Sequence, residues 1–186
     1  MADSWIFASS PGRVVFGSGT LKQLPEEFRR LGLSKPLLLS TSTGVHRANE
    51  VDHVLNSNAI TSVGIFAAAK MHTPVEVTAN ATTYATEIKA DSIVSVGGGS
   101  TIGLGKAISI RTGLYHICIP TTYAGSEMTS TLGETENGRK TTRRDPKIRP
   151  GTVIYDVDLT LSIPPRLSSI SGVNALAHAG KPTYAA

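Results

Sequence analysis

Short apolar runs rich in Val, Ile and Leu alternate along the chain with longer segments of helical pattern, and that alternation constrains the fold more than any other feature. Val14-Val15-Phe16 is one such run and breaks at Gly17-Ser18-Gly19; others lie at residues 36–40, 63–66, 93–96, 115–120 and 153–155. Between them the spacing predicts a helix capped by Thr20 that runs through Leu24, Phe28 and Leu31 and stops at Gly32. A second helix is predicted at 45–55 and a fourth at 101–111. The third has Thr73 as cap and Pro74 at its first helical position, and reaches about residue 90. This order predicts an α/β fold, a doubly wound and mostly parallel sheet covered on both faces. Residues 129–142 break the pattern: they contain Asn137-Gly138, the strongest short-range hairpin signal, flanked by Thr-rich segments, so a β-hairpin is expected to be inserted between the last two strands. After Pro164-Pro165 a final helix passes through Leu167, Ile170, Val173 and Ala177 and stops at Gly180-Lys181-Pro182.

Composition narrows the function. Hydrophobic residues make up 40% and charged residues 17% of the 186, which suits a globular chain and is too apolar for disorder. Aromatics are only 5%, so the core must be aliphatic. The net charge of +4 is concentrated at residues 139–149 and is not interleaved with aromatics, so no nucleic-acid partner is expected. The single cysteine, Cys118, rules out an intramolecular disulfide, fits a reducing compartment, and reads as a small buried hydrophobe. The N-terminus has no basic segment leading into an apolar run, and no apolar stretch nears the ~20 residues of a membrane span, so no membrane association is expected and cytoplasm is the expected location.

Two segments carry the chemistry. Gly97-Gly98-Gly99-Ser100 stands where a strand becomes a helix. Consecutive glycines let the backbone turn sharply and approach a ligand, and the first helical amides point outward at the positive end of the helix dipole. A pyrophosphate fits there, with Ser100 as a further donor; the same glycines also suit a tight turn that binds nothing. Pro120-Thr121-Thr122-Tyr123-Ala124-Gly125-Ser126-Glu127 follows the next strand and so lies at the same edge of the sheet, where open α/β sheets bind ligands. Its hydroxyls suit a ribose or a carboxamide, or else cap a turn.

Together these segments resemble the iron-type alcohol dehydrogenases. Gly97-Gly98-Gly99-Ser100 with Lys106 six residues on, Pro120-Thr121-Thr122 and Gly125-Ser126-Glu127 carry the likeness. The strings SVGGGSTIGLGKAI (95–108), PTTYAGSEMT (120–129), GETENGRKTT (133–142) and VIYDVDLTLSIPP (153–165) are similar to its maleylacetate reductase branch. The resemblance implies a Rossmann-like domain at 1–165 that binds NADH or NADPH, with 166–186 as the first helix of a helical domain otherwise missing. It implies that Gly97, Gly98, Gly99 and Ser100 hold the pyrophosphate, that Thr121, Thr122, Ser126 and Thr129 line the nicotinamide and ribose side, and that Lys140 lies near the ribose; Leu159 is counted with the cofactor-binding residues. In NAD-strict relatives an acidic residue after the second strand repels a 2′-phosphate. Ser40-Thr41-Ser42 stand there in this chain, so both NADH and NADPH are expected to be accepted.

Asn174 and His178 lie four apart on one face of the last helix, where iron-dependent relatives carry Asp and His. Asn174 is a neutral, poorer ligand for a divalent cation, so no bound metal is expected. His178 and His72 are the candidate contacts for an anionic substrate. The implied reaction is NAD(P)H-dependent reduction of maleylacetate, a small-molecule substrate, to 3-oxoadipate in aromatic degradation. Family members are about twice as long, and Gly180-Lys181-Pro182 breaks a helix that the family pattern continues. The alternative is therefore a truncated relative acting as a binding or partner module, or one repurposed for non-redox chemistry. In either case an apolar face left uncovered favours a homodimer or a partner chain.

Overall fold

The computed structural model describes residues 12–180, apart from the side chains of residues 178–180. The strands are β1 (Arg13–Gly17), β2 (Pro36–Leu39), β3 (Gly64–Phe66), β4 (Ser92–Gly97), β5 (Tyr115–Pro120), β6 (Thr131–Glu136), β7 (Arg139–Arg144) and β8 (Thr152–Asp156). The helices are α1 (Leu24–Leu31), α2 (Val45–Asn56), α3 (Val75–Glu87), α4 (Gly99–Thr112) and α5 (Pro165–Gly180). Six strands form one sheet in the order β1-β8-β5-β4-β2-β3, and every pairing in it is parallel. Strand order reverses between β2 and β4, because β2 leads outward to β3 while β4 leads the other way to β5 and β8. The loops after β2 and β4 therefore flank the crevice at which such sheets bind ligands.

Alternation along the strands sends side chains to two cores. Leu38, Val94, Val96, Ile117, Ile119 and Ile154 pack on one face with Leu24 and Phe28 of α1 and Ala48, Val51 and Leu55 of α2. Leu37, Leu39 and Ile93 pack on the other with Ala81 and Ala85 of α3 and Leu104 and Ile108 of α4. Both faces are covered, as the β-branched runs require, and the core is aliphatic apart from Phe28. In α4, residues 101–108 are all buried. A Cβ on Gly105 would stand 2.3 Å from both His116 Nε2 and Ser95 Oγ, so this helix lies on β4 and β5 only because the residue there is glycine.

β6 and β7 pair antiparallel as a separate two-stranded sheet, joined by Asn137 (φ 50°) and Gly138 (φ 75°). Two consecutive left-handed residues are the type I′ hairpin turn that Asn-Gly favours. The hairpin occupies 131–144 rather than 129–142, since Thr129 serves the preceding turn. It is fastened by buried Leu132, which packs with Ala107 and Ile148, and by an Arg111–Glu134 ion pair at 2.8 Å.

Three helix starts differ from the sequence reading. Thr20 caps nothing: its hydroxyl lies 3.2 Å from Gly17 O and 3.1 Å from Tyr155 O, and a 3₁₀ turn at Thr20–Gln23 precedes α1. Thr73 does not cap α3 either. Pro74 is the cap residue, extended at ψ 135°, and Thr73 is held left-handed at φ 46° while its carbonyl accepts from Thr135 N at 3.2 Å in the hairpin. A β-branched residue in that region is strained, and docking of the hairpin is what holds it there. α4 begins at Gly99, two residues early, because the glycines themselves make its first turn.

Candidate functional site

The four strands nearest the crevice end in Leu39, Gly97, Pro120 and Asp156, and β4 and β5 finish level, with Gly97 opposite Pro120. At Gly97 the backbone takes φ 144°, and a Cβ there would lie 2.5 Å from Thr101 Oγ1. Gly98 is the N-cap of α4 and no side chain caps the helix. A Cβ on Gly98 would come within 2.9 Å of Thr122 Oγ1, whereas one on Gly99 would meet only Ala124 at 3.9 Å. The first-turn amides of α4, at residues 99–101, thus stand without a side-chain cap at the positive end of a 14-residue helix. Ser100 is half-buried beside them.

The loop after β5 is organised from beneath by Lys106, a residue noted in the sequence only as part of a motif. Its side chain is completely buried, and its ammonium donates to Ser126 O, Thr129 O (2.8 Å), Thr129 Oγ1 (3.0 Å) and Thr131 O (3.0 Å), with Ser126 Oγ at 3.4 Å. Burial pulls its pKa down from 10.5 to about 8, while the Glu127 charge opposes the fall. Below α4 lies a fully buried polar set. Ser95 Oγ donates to Thr101 O (2.9 Å), which leaves His116 Nε2 to donate to Ser95 Oγ (2.8 Å); Cys118 Sγ is 3.4 Å from the same nitrogen. Burial, then the neighbouring Lys106 charge, lower the His116 pKa to about 3, and burial pushes the Cys118 thiol up, so both are neutral. Cys118 is a buried free thiol, as the sequence implied.

Beyond the α4 cradle and His72, the expected site residues that the structure describes fall into three neighbourhoods. A cavity of about 790 Å³ is lined by Ser126, Thr129, Lys140 and Asn174 together with Tyr123 and Thr131, so it brings β7 and α5 to the loop after β5. A smaller one of about 200 Å³ gathers Thr121, Thr122 and Leu159 with His46 and Arg47 of α2. At the end of β2, Thr41 Oγ1 accepts from Gly44 N at 3.1 Å, while Ser40 is completely buried and its hydroxyl has no partner. His72 is exposed, with φ 65°, in the loop before α3 and lines neither cavity. The His178 side chain lies outside the described residues.

The glycine cradle and the bare helical amides suit a pyrophosphate, and the hydroxyl-lined cavities on either side suit the two halves of a dinucleotide. The described residues do not suit a metal: among them no three His, Cys, Asp or Glu side chains gather, and Asn174 offers a neutral carboxamide. No described helix is long and apolar enough to cross a membrane.

The architecture is a Rossmann-like, doubly wound α/β domain carrying an inserted hairpin. Residues 11–157 match the iron-containing alcohol dehydrogenase family, and the chain belongs to that family. It is 50% identical over 181 residues to a maleylacetate reductase of Rhizobium sp. (strain MTP-10005), covering 97% of this chain and 51% of that protein. A maleylacetate reductase of Burkholderia cepacia is 46% identical over 183 residues, covering 98% and 51%. The crystal structure of maleylacetate reductase from Agrobacterium tumefaciens superposes with a TM-score of 0.90 at 48% identity, over 96% of this chain and 50% of that one. The chain spans about half the length of the curated relatives it matches. A sulfoacetaldehyde reductase from Bifidobacterium kashiwanohense, solved with NAD+, shares the fold at 22% identity with a TM-score of 0.81.

Proposed function

We propose that this chain is the nicotinamide-nucleotide-binding half of an NAD(P)H-dependent reductase acting on maleylacetate or a closely similar unsaturated keto acid. The observation that carries the reading is the bare N-terminus of α4 at the strand-order reversal, flanked on one side by the cavity of Ser126, Thr129, Lys140 and Asn174. A bound nicotinamide supplies the hydride. The chain's own residues do the rest: residues 97–100 bind the pyrophosphate, the hydroxyls of the loop after β5 orient the ring and ribose, and Lys140 sets a cation at the cavity wall, where it faces the ribose. No carboxylate projects from the Ser40-Thr41-Ser42 segment after β2, so a 2′-phosphate meets no like charge, and both NADH and NADPH are accepted.

The apolar row Leu167, Ile170, Val173 and Leu176 on α5 is 46–73% exposed. It supports a second element of the proposal: this face is covered in the working enzyme, by further protein of the same chain or by another subunit. The test is a fusion of this chain to the remaining half of the Rhizobium relative, assayed by loss of nicotinamide absorbance on adding maleylacetate. Turnover that Lys140→Ala diminishes supports the reading. A folded fusion that binds NADH but leaves maleylacetate unreduced removes the substrate assignment.

A further inference from the structure

The cavity of about 200 Å³ beside the start of α2 adjoins the α4 cradle. Thr122 belongs to both: it lines the cavity, and its Oγ1 is the atom that a Cβ on Gly98 would approach to 2.9 Å. Gly44, His46 and Arg47 supply the wall at α2, and Ser162 stands in the wall that follows β8. Arg47 is the one arginine or lysine in the lining, and no aspartate or glutamate joins it there. Its guanidinium is held in place without being closed off. Nη2 donates to Ser162 Oγ at 3.0 Å, which ties α2 to a segment 115 residues further on, while Nη1 donates to Glu50 Oε2 at 2.8 Å. The Arg47 side chain lines the cavity and keeps 23% of its surface accessible, so a ligand there can reach it.

Those two bonds leave N–H donors unused, because a guanidinium carries further donors in a planar fork that matches phosphate oxygens. The bond to Glu50 does not cancel the charge for a ligand. It joins residues three apart on a helix surface, the Glu50 side chain is 48% exposed, and pairs of that kind contribute little. The first turn of α2 holds no acidic residue and no side chain caps it, so nothing there offsets the positive end of the helix. In the nucleotide reading, on which this inference rests, the pyrophosphate lies in the cradle and Lys140 marks the nicotinamide side. The adenosine half then falls to this cavity, with its ribose towards the end of β2. NADPH differs from NADH only at that ribose, by a 2′-phosphate in place of a hydroxyl. A hydroxyl gains little from a guanidinium. A phosphate monoester, with about two negative charges at neutral pH, gains a charge-assisted bond.

We propose that Arg47 sets the choice between the two nucleotides: its guanidinium receives the 2′-phosphate, so the chain accepts NADH but prefers NADPH. The test is a fluorescence titration of the purified chain with each nucleotide, repeated on Arg47→Gln and Arg47→Lys. The wild type is expected to bind NADPH about tenfold more tightly than NADH. Arg47→Gln is expected to erase that preference by weakening NADPH about tenfold while NADH changes by less than about twofold. Arg47→Lys keeps the charge without the fork and is expected to retain a preference of about threefold. Adenosine 2′,5′-bisphosphate should displace NADPH about tenfold better than AMP, which reads the same phosphate without the nicotinamide half. A wild type that binds both nucleotides equally, or prefers NADH, overturns the assignment and leaves the nucleotide site standing. Weakening of both by one factor in Arg47→Gln reduces Arg47 to a structural tie to Ser162 and also overturns it, as does equal displacement by the bisphosphate and AMP. A wild type that binds neither nucleotide overturns this inference together with the reading beneath it.

Discussion

Replacing Lys106 by Met keeps the length of the side chain and removes its charge, which tests whether a buried ammonium builds the loop on which the site depends. In the folded chain the ammonium satisfies the carbonyls of Ser126, Thr129 and Thr131. Hydrogen bonds from a charged donor contribute roughly 1.5–3 kcal/mol each. Burial opposes them: a fall in pKa from 10.5 to about 8 amounts to about 3 kcal/mol at ~1.4 kcal/mol per pH unit. Lys106→Met is nevertheless expected to lose about 2–5 kcal/mol at neutral pH, read as a lower urea midpoint, because it leaves the buried carbonyls without a donor. The pH dependence adds a signature. Between about 8 and 10.5 the unfolded chain holds the Lys106 proton that the folded chain has released, so this group makes stability rise with pH across that window. Subtracting the urea curves of Lys106→Met from those of the wild type isolates the rise from other titrations. A variant as stable as the wild type at pH 7, or a difference that is flat from pH 8 to 10.5, would refute the reasoning.

Other consequences are equally direct. Gly105→Ala places a Cβ 2.3 Å from His116 Nε2 and Ser95 Oγ, two buried atoms, and should cost about 3 kcal/mol in thermal unfolding. Asp156→Ala removes the carboxylate that accepts from Gly19 N, Leu21 N and Asp158 N, and should cost about 2 kcal/mol in urea. Ile170→Asp lies on the exposed row of α5, 58% exposed, so it should leave the urea midpoint within about 0.5 kcal/mol of wild type. If another subunit covers α5, the same change should lower the mass measured by light scattering.

The sheet was legible in the sequence because its central strands β2, β4, β5 and β8 are compact apolar runs that must be buried, and the Asn137-Gly138 turn was legible because its left-handed geometry selects those two residues. What was not legible is long-range. Thr73 looks like a helix cap from its place before Pro74, yet a carbonyl bond to Thr135 in the hairpin holds it out of that role. Lys106 meets carbonyls 20–25 residues further on, and Glu127 meets Tyr155 28 residues further on, so neither partnership leaves a local pattern. The buried hydroxyl of Ser40 shows the same limit at smaller scale: Ser40, Thr41 and Ser42 read as equivalent hydroxyls, but the end of β2 turns Ser40 into the interior and leaves Thr41 half-buried in the loop.

The central claim is that the uncapped N-terminus of α4 is a working nucleotide site. The most direct measurement is a fluorescence titration of the purified chain with NADH and NADPH, repeated on Gly98→Asp. That change sets a carboxylate at the bare amides and forces its Cβ against Thr122. The account predicts saturable binding of both nucleotides by the wild type and loss of both in a variant that remains folded by circular dichroism. Binding that is unchanged in folded Gly98→Asp, or no binding to the wild type, would contradict it.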